Sequence, residues 1–191
     1  MTSSKNALPP MLGKIGSILF FVILFSLAKE NSEGYQEFRK CHGNCINGLL
    51  HFVGMPPAVS GVFLVVRGVA DSPIFTRILQ SGVTTCYLCY YLTYETNVIS
   101  PWLFYGLYMT IWECLYHFVY NKNFTRSQFV FYGILLILVN VGGLETIGHG
   151  VFEHHHSYVS EFFNSVFHTP IYGINSVLAT LGMHMEHSCW H

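Results

Sequence analysis

Six apolar stretches separated by short polar links dominate the hydrophobic pattern of this chain. They cover residues 15–28, 46–66, 78–94, 98–120, 129–147 and 162–183. Most have about the length of a helix that crosses a bilayer, roughly 17–25 residues, whereas the first is shorter and resembles the apolar region of a signal peptide or signal anchor. The pattern predicts an all-α, multi-span helical integral membrane protein with about five or six membrane segments.

Prolines lie inside two of these stretches. Pro56-Pro57 follow Gly54 in the second stretch, and Pro170 lies in the sixth. Because proline lacks a backbone N–H and clashes with the preceding turn, we expect the second segment to be broken or sharply kinked near Pro56-Pro57. We expect an interruption at Pro170 for the same reason. Broken backbone at membrane depth is tolerated where it is buried or lines a cavity, and His51 lies just ahead of the predicted break.

The pattern divides the chain into three parts. Residues 1–28 form an N-terminal lead with a signal-anchor-like apolar segment, residues 29–183 a helical membrane domain, and residues 184–191 a His-rich tail. Within the domain, residues 29–41 are rich in charge and are interpreted as a water-facing connection or an interfacial helix. Residues 67–77 are interpreted as a polar link.

Composition supports a membrane environment and excludes one class of partner. The 191 residues are 51% hydrophobic and only 10% charged, with a formal net charge of −1, whereas about a quarter of the residues in a soluble domain are charged. No Lys/Arg run is longer than Arg39-Lys40, so nucleic-acid binding is excluded. The six cysteines do not form the spacing of a disulfide framework, and Cys86-x-x-Cys89 is interpreted as packing in an aromatic segment.

Crossing parity predicts which histidines can meet. If segments two to five each cross once, the start of the second and the end of the fifth lie on the same side of the membrane. His42, His51 and His149 can then converge, while His117 and the His-rich tail lie on the opposite side. The distribution of Lys and Arg favours the side of the 67–77 link as cytoplasmic if the first segment spans.

The first polar motif is His42-x-Asn44-x-x-Asn47-x-x-x-His51. If a helix begins near Asn44, then Asn44, Asn47 and His51 lie at i, i+3 and i+7 on one stripe, with Asn44 as the N-cap. Polar side chains at membrane depth are costly and tend to face a cavity or one another. The stripe is therefore either part of a site or a hydrogen-bonded clasp between helices.

The second motif is Gly148-His149-Gly150-x-x-Glu153. On a helix His149 and Glu153 share one face, and the flanking glycines let another backbone or a ligand approach closely. Glu153 could be a metal ligand, an acceptor that fixes the His149 tautomer, or a general base. The alternative is a helix-end histidine paired with its own carboxylate at an interface.

Further histidines follow the second motif. His168 is a candidate ligand from the same side, although an interhelical hydrogen bond is an equal explanation, and the run His154-His155-His156 is interpreted as interfacial and solvated. Imidazoles from two separate segments, with a carboxylate in reach, suit a non-haem Fe(II) site with open positions. Zn²⁺ suits the same ligands nearly as well, so spacing does not choose the metal.

Together the two motifs resemble the endoplasmic-reticulum 2-hydroxy fatty acid dioxygenase family of fatty-acid α-oxidation. The resemblance covers roughly residues 35–183. The matching residues are His42, Asn44, Asn47, His51 and Pro56 in the first motif, Gly148, His149 and Glu153 in the second, and the later Pro170. The family implies Fe(II)- and O₂-dependent removal of one carbon from a 2-hydroxy fatty acid, as in phytosphingosine breakdown, by a multi-pass protein among membrane lipids.

The resemblance also implies roles for individual residues. His42, His51 and His149 would be iron ligands or active-site histidines, Glu153 a ligand or base, and Asn44 and Asn47 supporting groups around them. Two other classes compete with this enzyme. One is a non-enzymatic multi-span interaction or scaffold protein with structural His/Asn contacts, and the other is a metal or proton conduit, which needs polar groups on both sides of the membrane.

Overall fold

A computed structural model describes residues 10–27, 44–94, 98–153 and 162–183, and these ranges are helical, with short turns and no strand. The α-helices are α1 (Pro10–Leu27), α2 (Cys45–Ala70), α3 (Pro73–Tyr94), α4 (Ile99–Leu115), α5 (Arg126–Val139) and α6 (Phe162–Thr180). Three π-helical stretches follow two of them: Tyr116–Tyr120 after α4, and Asn140–Glu145 and Gly148–Glu153 after α5. The predicted all-α class is confirmed.

Two helices in the described ranges are long and apolar enough to cross a membrane. They are Ile46–Ala70, with 25 residues, and Arg126–Phe152, with 27, and both have a mean hydropathy of 1.9. Only 12% of the second window is buried, whereas the core helix of a soluble protein is mostly buried. The other described helices are too short or too polar for the same criterion, so a larger number of spans stays a prediction.

Helix α2 is the centre of the structure. It packs against α1, α5 and α6 and against both π-helical stretches that follow α5. The predicted break near Pro56-Pro57 is wrong, because α2 runs as one helix through both prolines, whereas the alternative of a kink stays a prediction. Neighbouring helices hold this stretch closely: a Cβ at Gly173 of α6 would lie 2.8 Å from the Cα of Phe52. Such packing lets a helix in an apolar environment tolerate the backbone bonds that proline removes.

Two further boundaries differ from the sequence prediction. Pro170 does not interrupt α6, which continues from Phe162 to Thr180. The predicted link over residues 67–77 is reduced to Asp71-Ser72, because Asp71 ends α2 in a left-handed conformation with φ of 48° and the Ser72 hydroxyl accepts a hydrogen bond from the Phe75 N–H at 3.2 Å. Pro73 then occupies the first turn of α3, where its missing N–H costs nothing.

A seam of small residues fixes the antiparallel register of α2 and α5. Gly61 lies opposite Gly133, and a Cβ at Gly61 would be 2.6 Å from the Gly133 carbonyl oxygen. Seven residues away in each direction, Gly54 abuts the Asn140 side chain and Gly68 abuts the Arg126 carbonyl. Seven residues make about two turns of an α-helix, so contacts repeated at this spacing lie on one face of each helix and hold α2 and α5 in register.

Adding one methyl group in this seam is expected to destabilise the fold. Gly61→Ala should lower the free energy of unfolding by about 1–3 kcal/mol, since neither backbone can move away, whereas Gly82→Ala meets nothing within 4 Å and should be neutral or slightly stabilising. Thermal unfolding of both variants in detergent tests this. Equal unfolding midpoints for the two variants would contradict the close approach of α2 and α5.

Ion pairs gather at the C-terminal end of α2. Asp71 pairs with Arg67 at 3.3 Å and with Arg126 at 2.9 Å, and Arg77 forms a two-pronged ion pair with Glu113. Lys14 lies over the Phe75 ring at the same end. The Lys and Arg residues of the described ranges thus collect at one end of the bundle. Lys29, Arg39 and Lys40, which the orientation prediction assigns to the other side, lie outside the described ranges, so the orientation stays a prediction.

Aromatic contacts fix the N-terminal half of α6 against α3. The Tyr91 hydroxyl donates a hydrogen bond to the Phe167 carbonyl, and the Tyr87 ring stacks on the Phe167 ring with centroids 5.2 Å apart. Phe167 is itself almost fully buried. These contacts position the face of α6 that meets the two sequence motifs.

Candidate functional site

His51 and His149 lie side by side inside the bundle. Their ring centroids are 5.5 Å apart and their planes are tilted by 58°. Each residue is only 4% exposed. The predicted convergence of these two histidines, one from each motif, is therefore confirmed.

Asn44 ties the first motif to the second. Its side-chain oxygen accepts a hydrogen bond from the Ile46 N–H at 2.8 Å, which confirms the predicted N-cap of α2. Its Nδ2 donates to the carbonyl oxygen of Phe152 at 3.3 Å. One asparagine thus begins the helix that carries His51 and also contacts the stretch that carries His149.

An extra residue in the π-helical backbone brings Gly148 against α2. Gly54 faces Asn140, and seven residues before Gly54 lies Asn47. A regular α-helix would place Ile147, seven residues after Asn140, opposite Asn47. Instead Gly148 abuts Asn47, and Ile147 is 47% exposed. Wider π turns accommodate one additional residue and occur often at functional sites.

Asn47 is a fully buried polar residue of the site. It is 0% exposed, and a Cβ at Gly148 would overlap its Oδ1 atom. Among the residues that the structure describes, neither its Oδ1 nor its Nδ2 has a hydrogen-bond partner. Since buried amides are almost always hydrogen-bonded, this side chain is the part of the site most in need of a ligand.

Helix α6 carries a buried polar stripe, of which only His168 was predicted from the sequence. Tyr172, Asn175 and Ser176 are all buried, and they follow His168 at i+4, i+7 and i+8, which is one face of a helix. The Tyr172 ring lies 6.3 Å from the His51 ring, centroid to centroid. A Cβ at Gly48 would overlap the Ser176 hydroxyl. The i, i+4, i+7, i+8 spacing was the sequence signal for this stripe.

His168 is buried, and its ring lies 5.9 Å from that of Tyr90 on α3. Within the described ranges, no three His, Cys, Asp or Glu side chains form a group that could hold a metal ion. The structure therefore does not join His168 to His51 and His149 in one such group. Its predicted ligand role receives no support from this geometry.

Several predicted site residues lie outside the described part of the structure. These are His42, the run His154-His155-His156 and the His-rich tail. The backbone of Glu153 ends the second π-helical stretch after α5, but its side chain is not described. Their roles stay predictions from the sequence.

His117 lies at the other end of the bundle, as crossing parity predicts. Its side chain is 63% exposed, and its Nε2 lies 3.6 Å from the Glu113 carboxylate. The π-helical stretch that contains His117 contacts α2 through Arg67, whose side chain donates a hydrogen bond to the Tyr120 carbonyl. Arg67 follows His51 by 16 residues on α2, which is about 24 Å along the helix. His117 is therefore separate from the His51–His149 pair.

The separation of the paired imidazoles is compatible with two positions of a metal site. With metal–nitrogen bonds of about 2.0–2.1 Å, two neighbouring histidine ligands place their ring centroids about 4.5–5.5 Å apart, and the observed separation of His51 and His149 is 5.5 Å. Imidazole suits iron, zinc and other transition metals. The donor chemistry thus permits Fe(II) without selecting it over Zn²⁺.

Comparisons with models of protein families, with curated proteins and with solved structures find no match. The fold and the site define a helical protein with two candidate membrane-spanning helices and a buried histidine pair between α2 and the π-helical stretch after α5.

Proposed function

We propose that this chain is a membrane-bound, Fe(II)-dependent dioxygenase that shortens 2-hydroxy fatty acids by one carbon, located in the endoplasmic-reticulum membrane as a multi-pass protein. The observation that carries the proposal is the buried pair of His51 and His149, with ring centroids 5.5 Å apart. The two residues come from the two motifs on which the family resemblance rests. Their approach supports the view that both motifs serve one site.

His51 and His149 would hold the iron, with His42 as the third imidazole and Glu153 as a further ligand or a base. When bound, the metal supplies a Lewis acid with open positions for oxygen and for the substrate oxygens. The imidazoles are well suited to this because burial fixes their orientation and excludes bulk water.

The overall reaction balances with dioxygen as the only oxidant. A 2-hydroxy acid, R–CH(OH)–COOH, and O₂ give R–COOH, CO₂ and H₂O. The bond between carbon 1 and carbon 2 breaks, carbon 2 becomes the new carboxyl carbon, and carbon 1 leaves as CO₂. These two carbons lose four electrons in total, which reduce one O₂.

The surroundings of the site suit a substrate with a polar head and an apolar chain. His51, His149 and Asn47 are buried at the N-terminal end of α2, whereas the remainder of α2 and most of α5 are apolar. In the proposed function a fatty acid would place its head group among these side chains and its acyl chain along apolar helix surface. Apolar contact of about 0.8 kcal/mol per buried CH₂ makes the chain the main source of affinity.

A non-enzymatic scaffold is the second candidate, and one contact favours it. The hydrogen bond from Asn44 to the Phe152 carbonyl is the kind of interhelical clasp that a structural role requires. A purely structural motif would satisfy its buried amides internally. Asn47, which lacks a hydrogen-bond partner among the described residues, argues against that alternative.

Product analysis tests the proposal directly. Detergent-purified protein supplied with Fe(II), O₂ and 2-hydroxypalmitate is expected to form pentadecanoic acid and CO₂, with one O₂ consumed per acid, and to leave palmitate unchanged. The matched control is the same incubation without oxygen. Folded, iron-supplied protein that leaves 2-hydroxypalmitate intact in air would overturn the proposal.

A further inference from the structure

The side chain of Asn47 requires a partner with a particular hydrogen-bonding capacity. Both its Oδ1 and its Nδ2 are buried without a partner among the described residues, and leaving an amide in this state is costly. Oδ1 needs a donor and Nδ2 needs an acceptor. A carboxylate can only accept, so it would satisfy one half of the amide. A hydroxyl group both donates and accepts, so it can satisfy both halves.

The position of Asn47 places this requirement beside the histidine pair. Asn47 precedes His51 by four residues on α2, so the two side chains share one face of the helix. On its other side Asn47 abuts Gly148, the residue before His149. A ligand hydroxyl bound to the amide would therefore lie next to both imidazoles.

We propose that Asn47 is the residue that recognises the hydroxyl on carbon 2 of the substrate and so distinguishes a 2-hydroxy fatty acid from an unsubstituted one. This inference rests on the proposed function and adds the group that sets its specificity. An unsubstituted acid brings only hydrogen to carbon 2 and leaves the amide unsatisfied. Sites built to bind a hydroxyl reject analogues that lack it for this reason.

The test compares equilibrium binding of 2-hydroxypalmitate and palmitate to the detergent-purified full chain. Wild type is expected to bind the hydroxy acid roughly 10- to 100-fold more tightly, the range of one well-formed buried pair of hydrogen bonds. Asn47→Leu, which has a similar volume and no polar atoms, should reduce this preference by about 10-fold or more. Palmitate affinity should be unchanged or improved.

Asn140→Leu is the matched control. Asn140 is another buried asparagine that faces α2, and its side chain abuts Gly54. The same substitution there removes a buried amide away from Asn47 and should preserve the ratio of the two dissociation constants. If removing any buried amide altered binding, the ratio of the two dissociation constants would change to the same extent in both variants.

The thermal stability of the Asn47 variants provides a second test. Because the Asn47 amide lacks an internal hydrogen bond among the described residues, Asn47→Leu should unfold at the same temperature as wild type or higher in the absence of ligand. If both Asn47→Leu and Asn47→Ala fail to fold while Asn140→Leu folds, the amide is structural and the inference is overturned.

The outcomes separate the inference from the proposed function. If wild type converts 2-hydroxypalmitate but binds the two acids equally, or if Asn47→Leu retains the wild-type preference, Asn47 does not read the hydroxyl and only the inference fails. If wild type neither binds nor converts the hydroxy acid, the proposed function fails and the inference fails with it.

Discussion

A His149→Ala variant is expected to lose more than about 100-fold of the turnover of 2-hydroxypalmitate. His149 is buried, and its ring lies 5.5 Å from that of His51, so its removal would take one of two adjacent imidazoles from the proposed metal. His51→Ala should have the same effect, and the double variant should lose no more than either single one, because ligands of one metal act as a unit. Oxygen uptake and product formation measure the loss.

His117→Ala is the matched control for this experiment. His117 is an exposed histidine at the opposite end of the bundle, near Glu113. Its replacement should leave turnover within about twofold of wild type, since surface substitutions away from a site have small effects. Full turnover by His149→Ala, or an equal loss in His117→Ala, would contradict the assignment of the site.

An added methyl group is expected to reduce turnover at one of the two glycines that flank His149 and to leave it unchanged at the other. In Gly148→Ala the new Cβ would overlap Oδ1 of Asn47, so either Asn47 or the π-helical stretch must shift. Displacements of this size at a catalytic group reduce rates by about 10- to 100-fold. Gly150→Ala meets nothing within 4 Å and should retain wild-type turnover.

Turnover and thermal unfolding should be measured on both glycine variants. Gly148→Ala is expected to lose activity by more than its loss of stability explains, because the contact it disturbs is local to Asn47. Equal turnover of Gly148→Ala and Gly150→Ala would show that the close approach of Gly148 to Asn47 is unimportant for function.

The sequence predicted the main elements and the meeting of the two motifs for simple reasons. Apolar length predicted the helices, and crossing parity placed His51 and His149 together and His117 elsewhere. The side chain of Asn44 confirmed the N-cap by accepting a hydrogen bond from the Ile46 N–H. These features depend on local chemistry and on the order of the helices, which a sequence carries directly.

The features that the sequence did not predict depend on contacts between helices. Local rules predicted a break at Pro56-Pro57, but α2 continues because neighbouring helices hold that stretch. The extra residue that brings Gly148 rather than Ile147 against Asn47 depends on the seam between α2 and α5. The stripe containing Tyr172 gains its importance only once α6 packs beside His51.

Metal analysis of the detergent-purified protein tests the central claim most directly. Wild type and His117→Ala are predicted to retain about one iron per chain after removal of loosely bound metal, and a variant with both His51 and His149 replaced by alanine is predicted to retain none while staying folded. Wild-type protein that is folded and binds no stoichiometric metal after Fe(II) loading, or a double variant that keeps its iron, would contradict a metal site at the histidine pair.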